Sequence, residues 1–386
     1  MIEGPGHDPP DNTGHALVVN AGSSSLRLAS HGLTGPSDCL ADLRLSPAPA
    51  ADSAVLTEFI AKRTLEPPPA VVHRIVHGGV RLNAPCLIDA EVEAEIARFK
   101  AIAPLHNRVA LSWIQSAKAA FGEHVPQIAC FDTAFYRDLP PHVSAYALTK
   151  ELSEEFQVRR YGFHGIAHQS MLKRLWSERS SEGSRRVISL QLGSGCSVTA
   201  SDHGRPVDTS MGFSPLEGLV MGSRCGDLDA AAVLYLIEEG GFCPKELGWI
   251  LNESSGLLAV SGQSSDMRVL LNSEVERAEL AVTMFCHRAR HYLGAYLVAL
   301  GGVDAILFGG GIGENEPVIR ERILENLCWA GVLLNAGKNH SVSGPGGGPI
   351  HADDSTVEIW VIPPNEGLEM ALAARVLLFP PREASA

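Results

Sequence analysis

Short apolar runs alternate with glycine-rich and polar segments along most of the chain, and these runs predict the strands of an α/β protein. The run ALVVN has the length of a buried strand, and a turn of Gly and Ser follows it before a second apolar stretch, LRLA. Much later, ISLQ is followed by LGSGCS and VTA in the same arrangement. Each copy predicts two neighbouring strands joined by a tight turn that presents N–H groups and hydroxyls outward.

A third glycine-rich segment has a different setting. The string FGGGIGENEPVIRERI follows the apolar run VDAILF and continues into a helical pattern. This order predicts a strand, a loop and a helix start with N–H groups available to an anion or a nucleotide. As a dinucleotide fingerprint the segment is weak, because it comes late and lacks the acidic residue and strand context of a Rossmann unit.

Length, composition and charge limit the class of protein. At 386 residues, with 45% hydrophobic and 19% charged residues, the chain is typical of a two-domain globular protein. The net charge of -13 disfavours nucleic acid and anionic membranes as partners. With no long apolar run and no signal-like start, we expect a cytoplasmic protein. The eight cysteines form no C-x-x-C pair, which argues against a zinc site and a disulfide framework.

Polar motifs rich in Gly and Pro contain the candidate chemistry. They are VVHRIVHGG, APLHN, FDTAFYRDLP, RRYGFHGIAH, DTSMGFSPLEGLVMGSRCGDLD and PPNEGLEMA. Arg74 lies on an apolar strand, where an unpaired guanidinium is costly, so it needs either a structural carboxylate or an anionic substrate. Asp132 follows the apolar strand IACF, and a carboxylate there can bind Mg²⁺ or act as a base. His164 lies between glycines and is either a structural or a functional histidine.

In this order, these motifs resemble those of the acetate kinase family, which includes acetate and propionate kinases. The resemblance runs from about Leu17 to Ala373. It implies two related α/β domains, as in actin, Hsp70 and sugar kinases, with a nucleotide cleft between them. It also implies reversible, Mg²⁺-dependent phosphoryl transfer from ATP to acetate, directly and in line. Propionate or another short-chain carboxylate is the alternative substrate.

The resemblance also divides the chain. From their content of Pro, Gly and Asp, we expect residues 1–14 to form a disordered tail. Domain I, on the substrate and phosphate side, comprises residues 15–134 and 366–386, and domain II, on the nucleotide side, comprises residues 135–365. Family members are commonly homodimers, and the helical stretch 274–300 offers apolar surface for such a contact. We therefore expect a homodimer that binds ATP or ADP, a small carboxylate, and Mg²⁺ or Mn²⁺.

Three residues are implied to be catalytic: Asp132, His164 and Arg224. His164 and Arg224 match the pair that stabilises the phosphoryl group in flight. For Asp132 we favour a metal-binding or positioning role, because a carboxylate substrate has no proton to lose at neutral pH. Arg74 matches the residue that binds the substrate carboxylate. Core packing is the alternative role for the residues that match the pocket around the methyl group. These are Val76, Leu105, Phe163 and Pro215.

The implied nucleotide-binding positions lie in three segments and at the first turn. Arg27 stands at that turn, where the family usually has Lys, and a guanidinium is a broader, bidentate donor. Ser194 replaces the family's Asn, so a hydroxyl stands where an amide would donate. The segments are Gln191, Leu192, Gly193, Ser194 and Gly195; Asp266, Met267 and Arg268; and Gly311, Ile312, Gly313, Glu314 and Asn315.

Two further residues match the family's Mg²⁺-binding positions, Asn20 and Glu366. For Asn20 a plain hairpin turn is the alternative. Glu366 opens the last helix, so its alternative is a capping role. His106 also matches a family motif, and its alternatives are support of the pocket architecture and direct contact with the substrate.

Two other functions stay open at this point. A kinase for a sugar or another hydroxyl compound would need Asp132 as a base, and Arg74 with an apolar pocket argues against it. A non-catalytic module that binds nucleotide or acyl phosphate would account for Arg27 and Ser194 as signs of lost activity. The phosphoryl donor is open too, since family members can use pyrophosphate. Gly309, Gly310 and Gly311 leave room for an adenosine and favour ATP.

Overall fold

The chain folds into two compact units, each with its own six-stranded mixed sheet. Unit 1 is formed by residues up to Ala134 together with those from Glu366 onward, and unit 2 is formed by Phe135–Asn365. The computed structural model describes residues 14–22, 25–33, 39–99, 106–178 and 185–380. Except for Gly14, the predicted N-terminal tail lies outside the described residues, as do the last six residues of predicted domain I.

The sheet of unit 1 starts as an antiparallel meander and continues with parallel strands. Its strand order is β3-β2-β1-β4-β6-β5, in which β4 is parallel to β1, β6 is parallel to β4, and β5 is antiparallel at the edge. The strands are β1 (His15–Ala21), β2 (Leu26–Gly32), β3 (Cys39–Leu45), β4 (Ala70–Ile75), β5 (Cys86–Leu87) and β6 (Gln127–Phe131).

Helices cover this sheet and supply its cores. Buried residues recur at helical spacing along α3, so one stripe of that helix faces the sheet. Trp113 of α3 packs with Leu17 and Phe59 in one core, and Ile114 packs with Phe131 in another. The helices are α1 (Ser53–Ala61), α2 (Ala90–Arg98), α3 (Asn107–Phe121) and the last helix of the chain, α15 (Glu366–Leu378).

The sheet of unit 2 repeats this plan. Its order is β11-β12-β10-β7-β8-β9, in which β7, β8 and β9 form the antiparallel meander and β10 and β12 run parallel to β7. The short β11 is antiparallel at the edge. The strands are β7 (Arg186–Leu192), β8 (Cys196–Asp202), β9 (Arg205–Thr209), β10 (Ala305–Gly309), β11 (Gly348–Pro349) and β12 (Glu358–Val361).

The remaining helices belong to unit 2. They are α4 (Pro141–Ser144), α5 (Lys150–Glu155), α6 (Gly165–Ser177), α7 (Ala230–Glu238), α8 (Pro244–Glu253), α9 (Gly256–Ser261), α10 (Met267–Leu271), α11 (Glu276–Ala299), α12 (Gly310–Asn315), α13 (Pro317–Leu324) and α14 (Ala336–Ser341). Within the part of the chain that the structure describes, no helix combines the length and the apolar character needed to cross a membrane.

The same strand order and directions in both sheets confirm the predicted fold class, two related α/β domains. The two Gly/Ser turns occupy equivalent places, between β1 and β2 and between β7 and β8, and each joins antiparallel strands as the sequence predicts. In such sheets, ligands bind outside the carboxyl ends of the parallel strands. We therefore expect the ligand-binding residues of each unit at the carboxyl ends of its parallel strands.

Candidate active site

In unit 1, polar side chains gather at the carboxyl ends of the parallel strands. Asn20 is the penultimate residue of β1, Arg74 is the penultimate residue of β4, and Asp132 directly follows β6. Glu366 is the first residue of α15. The sequence predicted these four residues as functional, and the structure brings them together.

A buried carboxylate holds Arg74. Its Nε donates to Oδ1 of Asp132 at 3.0 Å and its Nη2 donates to Oδ2 at 2.6 Å, and Asp132 is fully buried. Nη1 donates to Oδ1 of Asn20 at 3.2 Å, and Oε1 of Glu366 lies 3.7 Å from Nε. Burial would lower the pKa of Arg74, but the charges of Asp132 and Glu366 raise it. The charged guanidinium keeps one N–H on each terminal nitrogen without a partner among the described residues.

The donor set of this cluster suits a cation that is shared with a ligand. Nδ2 of Asn20 donates to Oε2 of Glu366 at 2.7 Å. In the described residues, no group of three or more His, Cys, Asp or Glu is arranged to hold a metal ion. Mg²⁺ is commonly held by one or two carboxylates while substrate phosphates and water supply the other oxygens. The carboxylate of Glu366 and the amide oxygen of Asn20 fit that mode.

Arg27 lies beside the cluster but is engaged elsewhere. It is the cross-strand partner of Asn20. Its Nε donates to Asp42 at 3.0 Å and its Nη2 at 2.6 Å, and the hydrogen bond with Asp42 raises the pKa of Arg27 against the effect of burial. The pair is partly exposed, and such pairs contribute only about 0 to 1 kcal/mol. Little free energy would therefore be lost if a phosphate at this turn displaced Asp42, a residue that the sequence did not identify.

The residues predicted to line the apolar pocket belong to both units. Val76 is buried in unit 1, and Phe163 and Pro215 are buried in unit 2. Leu105 lies outside the described residues. His106 is the N-cap residue of α3 and makes no side-chain capping bond to it. The pocket therefore stays a prediction.

In unit 2, the glycine turn after β7 closes on itself. The N–H of Gly193 donates to the carbonyl of Gly195 at 3.1 Å, and in unit 1 Gly22 donates to Ser25 at 2.8 Å. The N–H of the first glycine in each turn therefore makes a hydrogen bond within the turn. This corrects the expectation that the N–H groups at these two positions point outward. Ser194 is exposed, and its carbonyl accepts a hydrogen bond from Gly222 at 3.1 Å.

The other two predicted nucleotide segments adjoin this turn. Gly310 has φ +77°, and a Cβ atom there would lie 2.6 Å from the carbonyl oxygen of Leu192, so only glycine permits this approach of α12 to β7. A Cβ atom at Gly222 would lie 3.4 Å from Cβ of Ser265, which precedes Asp266. Asp266 forms a 2.6 Å ion pair with Arg268. All three segments therefore meet in unit 2.

His164 and Arg224 converge on the same turn. His164 is the N-cap residue of α6 and has left-handed backbone angles, φ 57° and ψ 25°. A Cβ atom at Gly195 would lie 3.3 Å from Nε2 of His164 and 3.4 Å from Nη1 of Arg224. Nη1 of the buried Arg224 donates to the carbonyl of Pro215 at 3.2 Å. Two nitrogen donors therefore border the glycine turn.

A polar network supports the loop that contains Pro215. The hydroxyl of Tyr146 donates to Oε2 of Glu217 and accepts a hydrogen bond from the N–H of Phe213. Nη2 of Arg160 donates to Oε1 of Glu217 at 2.7 Å. The loop that supplies the carbonyl partner of Arg224 is thus fixed at both ends by side chains.

Arg320 fixes the end of α12. It is fully buried, and its Nη1 donates to the carbonyls of Gly313 at 2.8 Å and Glu314 at 3.0 Å. Its Nε donates to the side-chain oxygen of Asn339. Its Nη2 donates to the backbone carbonyls of Asn339 and Val342. Burial lowers the pKa of Arg320 to about 10, so it is charged at neutral pH. All five N–H groups are accounted for.

Arg320→Met is expected to lower the free energy of unfolding by about 3 kcal/mol or more, because each buried acceptor left unpaired costs about 1 to 3 kcal/mol. Urea unfolding followed by circular dichroism measures this. Arg322→Met is the matched control on the same helix, since Arg322 forms a partly exposed ion pair with Glu279 that is worth about 0 to 1 kcal/mol. Equal effects of the two substitutions would contradict the structural role of Arg320.

Sequence reasoning missed several residues that shape this site. Arg320 stands inside an apolar helical pattern, VIRERI, and that position was the available signal. His168 follows His164 by four residues, which places both on one helix face. Ser197 and Asp42 gave no local signal, because Ser197 contacts histidines at the start of helix α6 and Asp42 contacts Arg27 on the neighbouring strand.

The sequence profile of the acetokinase family matches residues 52–372. The chain is 44% identical to the acetate kinase of Chloroherpeton thalassium over 317 residues, which are 80% of this chain and 75% of that protein. The crystal structure of Porphyromonas gingivalis acetate kinase superposes with a TM-score of 0.82 at 31% identity, covering 95% of this chain and all of the other. The crystal structure of a propionate kinase from Francisella tularensis superposes with a TM-score of 0.84 at 32% identity. The superposition covers 93% of this chain and 98% of the other.

Proposed function

Because the chain belongs to the acetokinase family, we propose that it is an acetate kinase, which converts ATP and acetate reversibly into ADP and acetyl phosphate. Enzymes of this family are phosphotransferases whose acceptor is a carboxyl group, with ATP or ADP as co-substrate. Propionate is the alternative acceptor. One methylene in an apolar pocket changes binding by only about 1 to 3 kcal/mol, so we expect both acids to react, with different kcat/KM.

The observation that carries this proposal is the setting of Arg74, whose side chain is only 12% exposed. Asp132 fixes its guanidinium from one side, and one N–H on each terminal nitrogen is left for a ligand. Two such N–H groups match the two oxygens of a carboxylate. An alcohol acceptor would not need this cation, so the arrangement favours acetate over a sugar.

The reaction needs no base. One oxygen of acetate attacks the γ-phosphorus of ATP, and the bond from this phosphorus to the β,γ-bridging oxygen breaks as the new bond forms, which releases ADP. The acetate oxygen is already ionised and gives up no proton. Asp132 therefore acts by orienting Arg74. The negative charge on the equatorial oxygens of the phosphoryl group calls for cationic and N–H donors, and Arg224 and His164 supply them.

We assign the nucleotide to the three adjoining segments of unit 2, and Mg²⁺ to Asn20 and Glu366 in unit 1. Backbone N–H groups of a glycine-rich turn suit phosphate oxygens. When bound, Mg²⁺ would neutralise charge on the phosphate oxygens. We also propose a cytoplasmic location, because all eight cysteines are free thiols and disulfides are rare in that compartment.

Trapping of acyl phosphate by hydroxylamine tests the function. Purified protein with Mg²⁺ and ATP is expected to form the hydroxamate with acetate and propionate, and more slowly with butyrate. With glycerol, whose phosphate hydroxylamine does not trap, release of ADP is expected to stay at background. Removal of Mg²⁺ by a chelator is expected to stop the reaction. If no acid gives product with ATP, the same assay with pyrophosphate tests the donor. Failure with both donors would leave a kinase for a hydroxyl acceptor, which release of ADP with glycerol tests, or a binding module.

We further propose a homodimer formed through α7. This helix has the sequence AAAVLYLIE, yet none of its residues is buried in the single chain. Leu234 and Tyr235 are 57% and 65% exposed, and Trp249 of α8 is 59% exposed. Adjacent exposed apolar side chains of this size are typical of an interface.

Leu234→Glu is expected to convert the dimer into a monomer, since it places an unpaired charge in the contact. Size-exclusion chromatography with light scattering measures the mass. Val376→Glu, which changes an equally exposed apolar residue on α15, should leave the dimer intact. A monomeric wild type, or a dimeric Leu234→Glu variant, would refute this interface.

A further inference from the structure

His164 is the first member of a chain of hydrogen bonds that runs into the interior of unit 2. Its Nδ1 lies 2.9 Å from Oγ of Ser197. The same oxygen lies 2.8 Å from Nε2 of His168, whose Nδ1 lies 2.7 Å from Oγ of Ser189. Ser197, His168 and Ser189 are fully buried. The proposed reaction uses none of these three side chains directly.

The chemistry of each member limits how the hydrogens are arranged. Burial lowers the pKa of His168 well below its usual value, and the charge of His164 lowers it further, so His168 is neutral and has a single N–H. The hydroxyl of Ser197 has one hydrogen and touches two imidazole nitrogens. It therefore donates to one of them and accepts from the other.

In the first arrangement, Ser189 donates to Nδ1 of His168, Nε2 of His168 donates to Ser197, and Ser197 donates to Nδ1 of His164. A neutral His164 then has its proton on Nε2. In the second arrangement every hydrogen points the other way, and Nδ1 of His164 donates to Ser197. This arrangement suits the imidazolium, which also has an N–H on Nε2, and it equally fits the neutral tautomer whose proton is on Nδ1. The hydrogen-bond chain is therefore compatible with both charge states of His164.

We propose that Ser197 and His168 are positioning residues that keep an N–H on Nε2 of His164 directed at the transferred phosphoryl group. Nε2 borders the turn at Gly195 next to Nη1 of Arg224, so a donor at this nitrogen faces the place assigned to the phosphates. The contact of Nδ1 with Ser197 fixes the ring orientation of His164, and in the first arrangement it also places the proton of a neutral His164 on Nε2. That Nε2 faces a phosphoryl group rests on the proposed function. The hydrogen-bond chain from His164 to Ser189 does not depend on that function.

Ser197→Ala removes only the bridging hydroxyl. We expect kcat for acetate to fall by about 10- to 100-fold, the loss usual for partners that orient a functional histidine, with KM for acetate nearly unchanged. Ser197→Thr restores a hydroxyl and is expected to recover most of the activity. Ser201→Ala is the matched control, because Ser201 is equally buried on the same strand and its hydroxyl has no partner among the described residues.

The ¹⁵N NMR signals of His164 test the hydrogen-bond chain in a protein that is not turning over substrate. The protein is labelled with ¹⁵N-histidine, the signals of His164 are assigned with His164→Gln, and spectra are recorded at a pH where His164 is neutral. In the wild type we expect a protonated Nε2 and a hydrogen-bonded Nδ1. In Ser197→Ala the Nδ1 signal should move toward that of a nitrogen without a hydrogen bond. His168→Gln should produce the same direction of change if it also folds, as judged by circular dichroism.

The two readouts separate the inference from the function on which it rests. A wild type that phosphorylates no acid refutes the proposed function, while the ¹⁵N shifts still test the chain. Wild-type kcat in Ser197→Ala, or unchanged His164 signals in that variant, would overturn the positioning role. Equal losses of kcat in Ser197→Ala and Ser201→Ala would do so too, because they would show a general effect of strand packing.

Discussion

Arg224→Met is expected to lower kcat by about 1,000-fold or more, the contribution of an arginine that stabilises a phosphoryl group in flight. Arg224 is buried, its Nη1 donates to the carbonyl of Pro215, and the same nitrogen borders the glycine turn beside His164. A cation held in a site with little water acts on developing charge more strongly than one in solvent. Because the charge is greatest in the transition state, kcat should fall much more than affinity for ATP.

Steady-state kinetics with acetate and ATP measure this, and Arg224→Lys helps to separate charge from geometry. Lysine keeps the positive charge but not the planar donor edge, so we expect an intermediate loss. Arg174→Met removes a partly exposed arginine of the same unit that pairs with Glu178 and should leave kcat unchanged. A value of kcat for Arg224→Met within 10-fold of wild type would remove Arg224 from the chemistry.

The strands of both sheets could be predicted because local signals agree with their tertiary setting. The run ALVVN is apolar on both faces up to Asn20, and ISLQ is apolar on the face of Ile188 and Leu190. They form β1 and β7 in the middle of their sheets. The turns between these strands and their neighbours are equally local, since Gly and Ser determine them. The close approach of Gly310 to Leu192 could not be predicted, because it depends on the pairing of β10 with β7.

The residues of the candidate site also differ in whether local sequence signals could predict them. Arg74 was predicted to need an anion, and the structure supplies Asp132, which directly follows the neighbouring strand β6. The sequence identified both residues but not their bond, because nothing local links positions that are 58 residues apart. Asp42 and Ser197 were missed for the same reason. Each pairs with a predicted site residue on another element, and only the fold brings the two together.

Removing the carboxylate of Asp132 is expected to cost nearly all activity. Asp132 is fully buried and makes two hydrogen bonds to Arg74. Leaving a buried charge without its partner costs about 3 to 5 kcal/mol. If the whole cost appears in the transition state, kcat/KM for acetate falls by roughly 100- to 5,000-fold. Asp132→Asn, which keeps the shape of the side chain, should show this loss without a large change in fold.

A double-mutant cycle with Arg74→Met decides how Asp132 acts. If Asp132 works only by orienting Arg74, its replacement by Asn should add little once Arg74 is gone, so the two losses should be far from additive. A general base would act on its own, and the losses would then multiply. Asp138→Asn, at an exposed position in unit 2, serves as the control for loss of a carboxylate. Multiplying losses, together with product from glycerol, would favour a hydroxyl acceptor over a carboxylate and would revise the function proposed for the whole site.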